Sequence, residues 1–409
     1  MMICHFILFP KGARDSCLGT DYIVMKPLLD TGATMAANLT RTTCIFLLAF
    51  ILLLPPDMLL GEPYIAFREG YKCSTCHVNK TGGGKRNEFG ALYTQTDITP
   101  LMQEASDRAM DFSPQIGPSI SLGADLMAVH EVHFAVDKEL EGKTYKKDGQ
   151  NSFDIHSGNL YLEADLIPEV LSLYLDENVT PSGASSREAF LLLQSLPNQT
   201  YLKAGRILLP YGIRVWDDGT FIREATGFNF DNQDLGVEIG IEPGNMALSV
   251  ALSNGTQGSR DRDSNKQLSS VGTIYIKNLL AGGSFSLNNS QGVKRVAWGP
   301  YAGLRLGPLT LLSEADWVRD SGRLEQNQFI FFTSLNYWYQ QSVNLRVAFD
   351  FLNPYDDLEE DERSRVTLGL NAFLTPYLET SATYRMSDSI PQDIPGNADT
   401  FTLALHSFF

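Results

Sequence analysis

Five consecutive residues, Cys73-Ser74-Thr75-Cys76-His77, carry the most legible chemistry in this sequence. Two thiols separated by two residues and followed at once by an imidazole form the attachment pattern of a c-type haem. Each thiol adds to one vinyl group of the porphyrin. The adjacent His77 then lies under the iron and supplies an axial nitrogen. Two other chemistries share part of the pattern. A redox dithiol uses the same spacing, but no thioredoxin-like βαβ pattern surrounds it. Half of a zinc site would need a second Cys/His pair at zinc spacing, and none follows.

The flanking residues suit a flat, anionic ring. Gly82-Gly83-Gly84 allows close backbone approach. Arg68, Lys72, Lys85 and Arg86 are candidates to pair with propionates, or are solvated charges on a loop. The second axial position has no obvious owner. Met102 is the first methionine after the motif, followed by Met110 and Met127. His130, His133 and His156 fall in the first strands of the next region, and His406 lies near the end. Met102, His130, His133 and His156 are the weak candidates for the sixth ligand. A five-coordinate or water-ligated iron is the alternative.

The cysteine count supports a dedicated role for the pair. Residues 45–54 form a continuous apolar run with Arg41 before it and Pro55-Pro56 after it. Ten residues are short of the roughly 20 that a helix needs to span a bilayer. The run reads as the core of a secretory signal, with cleavage near Gly61 and with Met25 or Met35 as alternative starts. An uncleaved anchor is the competing reading. Removing residues 1–61 takes Cys4, Cys17 and Cys44 with it, so only Cys73 and Cys76 enter the oxidising compartment.

The remaining chain must position this motif. Its 409 residues carry a net charge of −16, which argues against a nucleic-acid partner. Residues 62–100 hold five basic and four acidic side chains, so the acidity lies in residues 101–409. From about residue 116, short segments alternate apolar and polar residues with period two. Examples are 159–166, 172–176, 271–277, 309–318, 337–351, 365–373 and 401–409. The polar members are often charged, such as Glu163, Asp165, Glu314 and Asp316. Lipid outside and water inside would explain that alternation. The 292 residues from 118 onward accommodate about sixteen strands of about 18 residues each, connections included. The expected fold class is therefore all-β: a transmembrane antiparallel barrel, porin-like, with a short N-terminal haem-c segment. A soluble β-sandwich or β-solenoid is the competing class, though no fixed repeat is visible. Tyr337, Trp338, Tyr339, Tyr355, Tyr377 and Phe408 are candidates for interfacial girdles.

The boundaries read as 1–61 leader and signal peptide, 62–115 monohaem cytochrome c segment, and 116–409 barrel. Phe409 ends an alternating strand, which resembles the terminal signal of bacterial outer-membrane barrels. The stretch from Gly205 through Phe230, with Gly-Arg-x-x-x-Pro-x-Gly, resembles the porin segment that enters the pore. Arg206, Arg214, Asp217, Asp218, Arg223 and Glu224 are then expected to form charge pairs at a constriction, against the alternative of a solvated surface loop.

Pro63, Phe67, Arg68, the Cys73–His77 motif, Asn87-x-Phe89-Gly90, the barrel and Phe409 together resemble the fused monohaem cytochrome–porins of iron-oxidising bacteria. The order of residues 66–70 and the glycine-rich stretch 81–86 depart from that family's usual pattern. The resemblance implies one covalent haem c and a bacterial outer-membrane location, with the haem segment in the periplasm or barrel lumen. It also implies electron transfer from an extracellular reductant such as Fe²⁺ to a periplasmic c-type cytochrome or similar carrier. A solute-conducting porin with a haem-bearing plug or redox gate is the alternative. A haem peroxidase is a third reading, and it would need a distal acid or base.

Overall fold

The computed structural model describes residues 63–97, 101–109, 112–181, 183–290, 292–322, 325–358 and 360–409, all within one compact unit. The expected leader and signal peptide lie outside the described residues. Among the described residues no helix is long and apolar enough to cross a membrane. Eighteen strands run from β1 (Ile120–His133) to β18 (Thr400–Phe408). Sixteen of them close into an antiparallel barrel, and β2 (Val136–Leu140) with β3 (Lys143–Lys147) forms a separate hairpin. The barrel closes where β1 pairs with β18, from Asp125 opposite Phe408 to His133 opposite Thr400. The chain end extends that ladder, because Phe409 and Ala124 exchange backbone hydrogen bonds of 3.0 and 3.2 Å.

Period-two alternation places apolar side chains outside and polar ones inside. In β7 (Thr200–Leu208), Leu202 points outward while Tyr201 and Lys203 are buried inside. In β8 (Gln233–Ile241), Val237 and Ile239 are outside and Glu238 is buried between them. Leu403 and Leu405 of β18 face out, whereas Ala404, His406 and Phe408 face in. An apolar exterior around a charged interior suits a wall surrounded by lipid.

Two expectations need correction. Segment 337–351 is not one strand. β14 (Gln326–Gln340) ends there, Gln341 and Ser342 turn the chain, and β15 (Val343–Asn353) returns. The turn lacks Gly, Pro, Asn or Asp, and Ser342 alone marks it only weakly. Nor do all six aromatic residues form girdles. Tyr339 and Tyr355 are exposed, but Trp338 and Phe408 are buried and point into the lumen.

The lumen is filled from both ends. One end has short turns, including 242–245, 307–308, 341–342 and 376–377; the other carries long connections, among them 209–232 and 254–266. Residues 63–97 pack inside near the short-turn end. They comprise α1 (Pro63–Glu69), α2 (Cys73–Cys76) and α3 (Glu88–Thr96). Tyr64, Ile65, Phe67, Val78 and Tyr93 join one buried cluster with wall residues. Asn344 donates to the Tyr64 hydroxyl at 3.0 Å, the Tyr64 and Trp338 rings lie 5.8 Å apart, and Arg305 donates to the Arg68 carbonyl.

The connection 209–232 folds inward from the long-loop end, as expected. The Ile213 amide donates to Glu314 at 2.7 Å and the Gly212 amide to Ser284 Oγ at 2.8 Å. The Tyr211 hydroxyl donates to Asp316 at 2.8 Å, and the amide of Phe221, first residue of α4 (Phe221–Glu224), reaches Asp350. Inward carboxylates of the wall thus supply acceptors for loop donors that have left water.

Candidate haem-attachment site

The motif occupies a single helical turn. The His77 amide donates to the Cys73 carbonyl at 3.0 Å, which closes α2. Asn87 then ties α2 to α3. Its Oδ1 caps the Gly90 amide at 2.9 Å, and its Nδ2 donates to the carbonyls of Ser74 and Thr75 at 3.2 and 3.1 Å. Gly90 lies against the Cys76 backbone, and a Cβ there would run into the Cys76 carbonyl. The tri-glycine turn is equally constrained. Gly82, Gly83 and Gly84 all have positive φ, and a Cβ on Gly82 would lie 3.3 Å from the Cys73 sulfur. Replacing Asn87 with Ala removes the cap and the α2 contacts together. We expect a loss of about 1–2 kcal/mol in the stability of this segment, read as faster proteolysis between residues 63 and 97.

Wall residues fix the segment from the other side. Asn79 donates to both oxygens of Glu188 at 3.1 and 2.9 Å and accepts from Lys203 at 2.9 Å. Lys203 also pairs with Glu238 at 2.9 Å, and both side chains are fully buried. Lys85 Nζ pairs with Glu163 at 3.0 Å, and its amide donates to the Tyr174 hydroxyl at 2.9 Å.

Cys73, Cys76 and His77 border a cavity of about 420 Å³. Its volume falls in the roughly 300–1,000 Å³ range of cofactor sites. Gly212, Arg214, Trp216 and Asp217 of the inward connection line another side, and Met127, Tyr161, Tyr275 and His406 come from the wall. Both cysteines are free and half-buried. Burial raises both thiols, Cys76 to about 11 against an opposing pull from Arg86. Redox dithiols lower a thiol into the range of about 3.5–7.5, so this environment does not suit that chemistry. Among the described residues no group of three or more His, Cys, Asp or Glu side chains could hold a metal ion, so the zinc reading gains nothing.

The His77 ring is neutral at pH 7. Burial lowers its pKa to about 4, and Arg86 adds to the shift. Its Nδ1 is buried without a hydrogen-bonding partner. A neutral imidazole and two free thiols on one cavity are the donor set of a c-type haem. Of the four cations expected to meet propionates, Arg68 is paired with Glu69 at 3.5 Å and Lys85 with Glu163. Lys72 borders the cavity but donates to the Glu242 carbonyl. Arg86 also borders the cavity, and its Nη1 is buried and unpartnered. Its guanidinium lies 3.9 Å from the centre of the Phe408 ring, and burial lowers its pKa. A carboxylate brought into the cavity would offset that cost. Gly82 backbone, Arg86 and the motif therefore fit the group.

The weak ligand candidates separate clearly. Met102 is half-exposed, with its amide bonded to the Leu374 carbonyl, and is not on the cavity. His130 packs on the exposed Phe153 with ring centres 4.5 Å apart, and His133 pairs with Glu131 at 3.2 Å; neither lines the cavity. His156 does line it. Met127 pairs with Ser157 and Ala128 with Ile155, which leaves His156 as the extra residue of a β-bulge in β4 (Gln150–Ile167). Such bulges re-aim side chains. Sequence reasoning did not select His406, which borders the cavity, donates to Asp125 at 2.7 Å and stacks on Trp216 at 5.1 Å. Met127 also borders the cavity and was not selected.

No protein-family model matches this sequence, and no curated protein is similar to it. Solved structures do match in shape. In-vitro folded OmpT of Vibrio cholerae, in its trimer form, aligns with a TM-score of 0.55 and 12% identity over 71% of this chain and 100% of that one. The anion-selective porin from Comamonas acidovorans aligns at 0.53 with 11% identity, over 71% and 99%. Salmonella typhi OmpF, solved as a complex with daunomycin, aligns at 0.52 with 10% identity, over 71% and 97%. The chain has a porin fold. Identities this low speak for the fold alone.

The charges expected at the constriction of this porin fold do find partners, but mostly on the wall. Asp217 pairs with Arg385, Glu224 with Arg365 at 3.7 Å, and Asp218 with Arg223 at 3.9 Å. Arg206 donates to the Arg187 carbonyl at 3.1 Å. Arg214 donates to the carbonyls of Gly82, Leu208 and Leu209 and so joins the inward connection to the tri-glycine turn.

Proposed function

We propose that this chain is a bacterial outer-membrane electron-transfer protein of the cytochrome–porin type. One covalent haem c would be held by Cys73, Cys76 and His77 inside the porin fold. An extracellular reductant, with Fe²⁺ as the leading candidate, would donate one electron, and a periplasmic cytochrome or similar carrier would collect it. The observation that carries the reading is one luminal cavity bordered by both thiols and by the His77 imidazole. When bound, the haem supplies a one-electron iron couple. His77 would hold the iron, Arg86 would balance propionate charge, and the inward connection would shield the cavity from the long-loop end. Outer-membrane barrels carry short turns on the periplasmic side and longer loops outside, so the short-turn end would face the periplasm. Among the other cavity residues, His406 is engaged by Asp125 and Glu379, so His156 and Met127 would be the candidates for a sixth ligand.

A solute-conducting porin with a plug is the second reading. A polar cavity of about 880 Å³ above the inward connection, lined by Phe228, Asp234, Arg260 and Gln326 among others, favours it. The purified oxidised protein, mixed anaerobically with Fe²⁺ in a stopped-flow spectrometer, separates the two. Rapid reduction of a c-type spectrum supports iron oxidation. Conductance in a planar bilayer that does not respond to redox state supports the plugged porin. His156→Ala and Met127→Leu should be compared by visible spectroscopy; the variant that changes the iron spin state identifies the sixth ligand.

A further inference from the structure

The wall between the cavity and the short-turn end is an aromatic one. The Tyr71 ring meets Phe89 edge-on at 5.4 Å and Tyr93 edge-on at 5.9 Å, while Phe89 stacks on Tyr93 at 6.1 Å. Tyr71 and Tyr93 border the cavity. Phe89 is 41% exposed, beside Leu92 at 51% on the same helix, α3. The three rings therefore run in continuous contact from cavity to solvent. Their place is the short-turn end, since Lys72 donates to the Glu242 carbonyl and Gln95 to the Tyr377 hydroxyl at 2.5 Å, both in short turns. Exposed apolar side chains on the strands face lipid; Phe89 and Leu92 instead stand at the mouth, three residues apart on α3 and beside the aromatic wall.

The two exposed charges of α3 itself are acidic. Glu88 and Asp97, at the two ends of α3, are exposed and form no ion pair with a described residue. Glu69 and Asp97 lie close enough to add to the effect of burial in raising the Tyr71 and Tyr93 phenols. An apolar centre with like-signed charges at its rim is the anatomy of a steered, transient interface.

We infer that this face of α3 docks a basic redox protein whose own cofactor edge is apolar and ringed by lysines. The inference rests on the electron-transfer reading above and specifies the chemistry of the collecting partner and its landing surface. With haem bound, the packed rings of Tyr93, Tyr71 and Phe89 would offer the path by which one electron passes to the carrier, whose cofactor is reduced by one electron. No proton or ligand moves. Rim carboxylates raise the encounter rate, and Phe89 with Leu92 excludes water from the final contact.

The test uses the full chain in detergent, with haem content measured first. The probes are a basic mitochondrial-type cytochrome c and an acidic flavodoxin, and association is followed by biolayer interferometry. The basic probe should bind, with an association rate falling about tenfold from low salt to about 0.3 M. The double variant Glu88→Lys, Asp97→Lys should lose about tenfold in that rate. Phe89→Ser should instead speed dissociation and slow electron delivery, with haem content and electrophoretic mobility unchanged. Equal binding of both probes, or unchanged binding by haem-loaded variants, overturns the inference. So does binding that begins only after cleavage ahead of Pro63, because the patch is then covered by this chain's preceding residues. A chain without haem refutes the electron-transfer reading instead.

Discussion

Replacing Cys73 and Cys76 together with Ser is expected to abolish covalent haem while leaving a closed barrel. The protein should lose its c-type absorption and its haem-staining band after denaturing electrophoresis. His77→Ala should differ in kind. The thioether tether survives, and the spectrum reports an iron without its imidazole. The barrel is expected to withstand both changes, because the β1–β18 seam and the rest of the strand ladder lie outside residues 73–77. Heat-modifiable mobility is the control for folding. A Cys73→Ser, Cys76→Ser protein that keeps haem through denaturation would end the proposal of covalent attachment.

Lys203→Met is expected to have the largest effect on stability. Lys203 and Glu238 are both fully buried and lie 2.9 Å apart. Removing one charge leaves the other uncompensated in a dry interior, a loss of about 3–5 kcal/mol. The Tyr201 hydroxyl, which donates to Glu238 at 2.7 Å, softens that loss without cancelling it. Asn79 loses its Lys203 donor at the same time, and with it one link between residues 63–97 and the wall. The denaturation midpoint should fall, and ion conductance should appear as the segment loosens. Lys203→Met combined with Glu238→Gln should recover most of the loss, since two neutral side chains need no counter-charge. Equal midpoints for parent and single variant would show that the pair contributes nothing.

The same lysine shows where sequence reading stops. The barrel is legible because alternation is local: Leu202 and Lys203 announce opposite faces whatever lies beyond them. In a water-filled barrel an inward lysine would be wet. Lys203 is dry because residues 63–97 occupy the lumen, and no spacing within β7 encodes that. The attachment motif is legible for the same local reason, as five contiguous residues. Trp338 and Phe408 are not. Each belongs to an aromatic-rich strand end that reads as a girdle, and each is drawn inward by a partner far along the chain, Tyr64 and Arg86 respectively. His156 and His406 reach the cavity through a bulge and a barrel seam. Both depend on register between strands, which composition does not specify. The hairpin at Gln341-Ser342 escaped because Ser342, a weak turn former, is its one turn signal and stands without Gly, Pro, Asn or Asp beside it.

The filled lumen also sets a timetable. Residues 63–97 are stitched to β4 through Lys85, to β7 through Lys203 and to β15 through Tyr64, on widely separated parts of the ring. A segment held at so many points of a closed wall docks most readily before the last seam, β1 against β18, is sealed. An enzyme that works on Cys73 or Cys76 then meets thiols still outside the wall, whereas in the finished barrel both are half-buried on the luminal cavity.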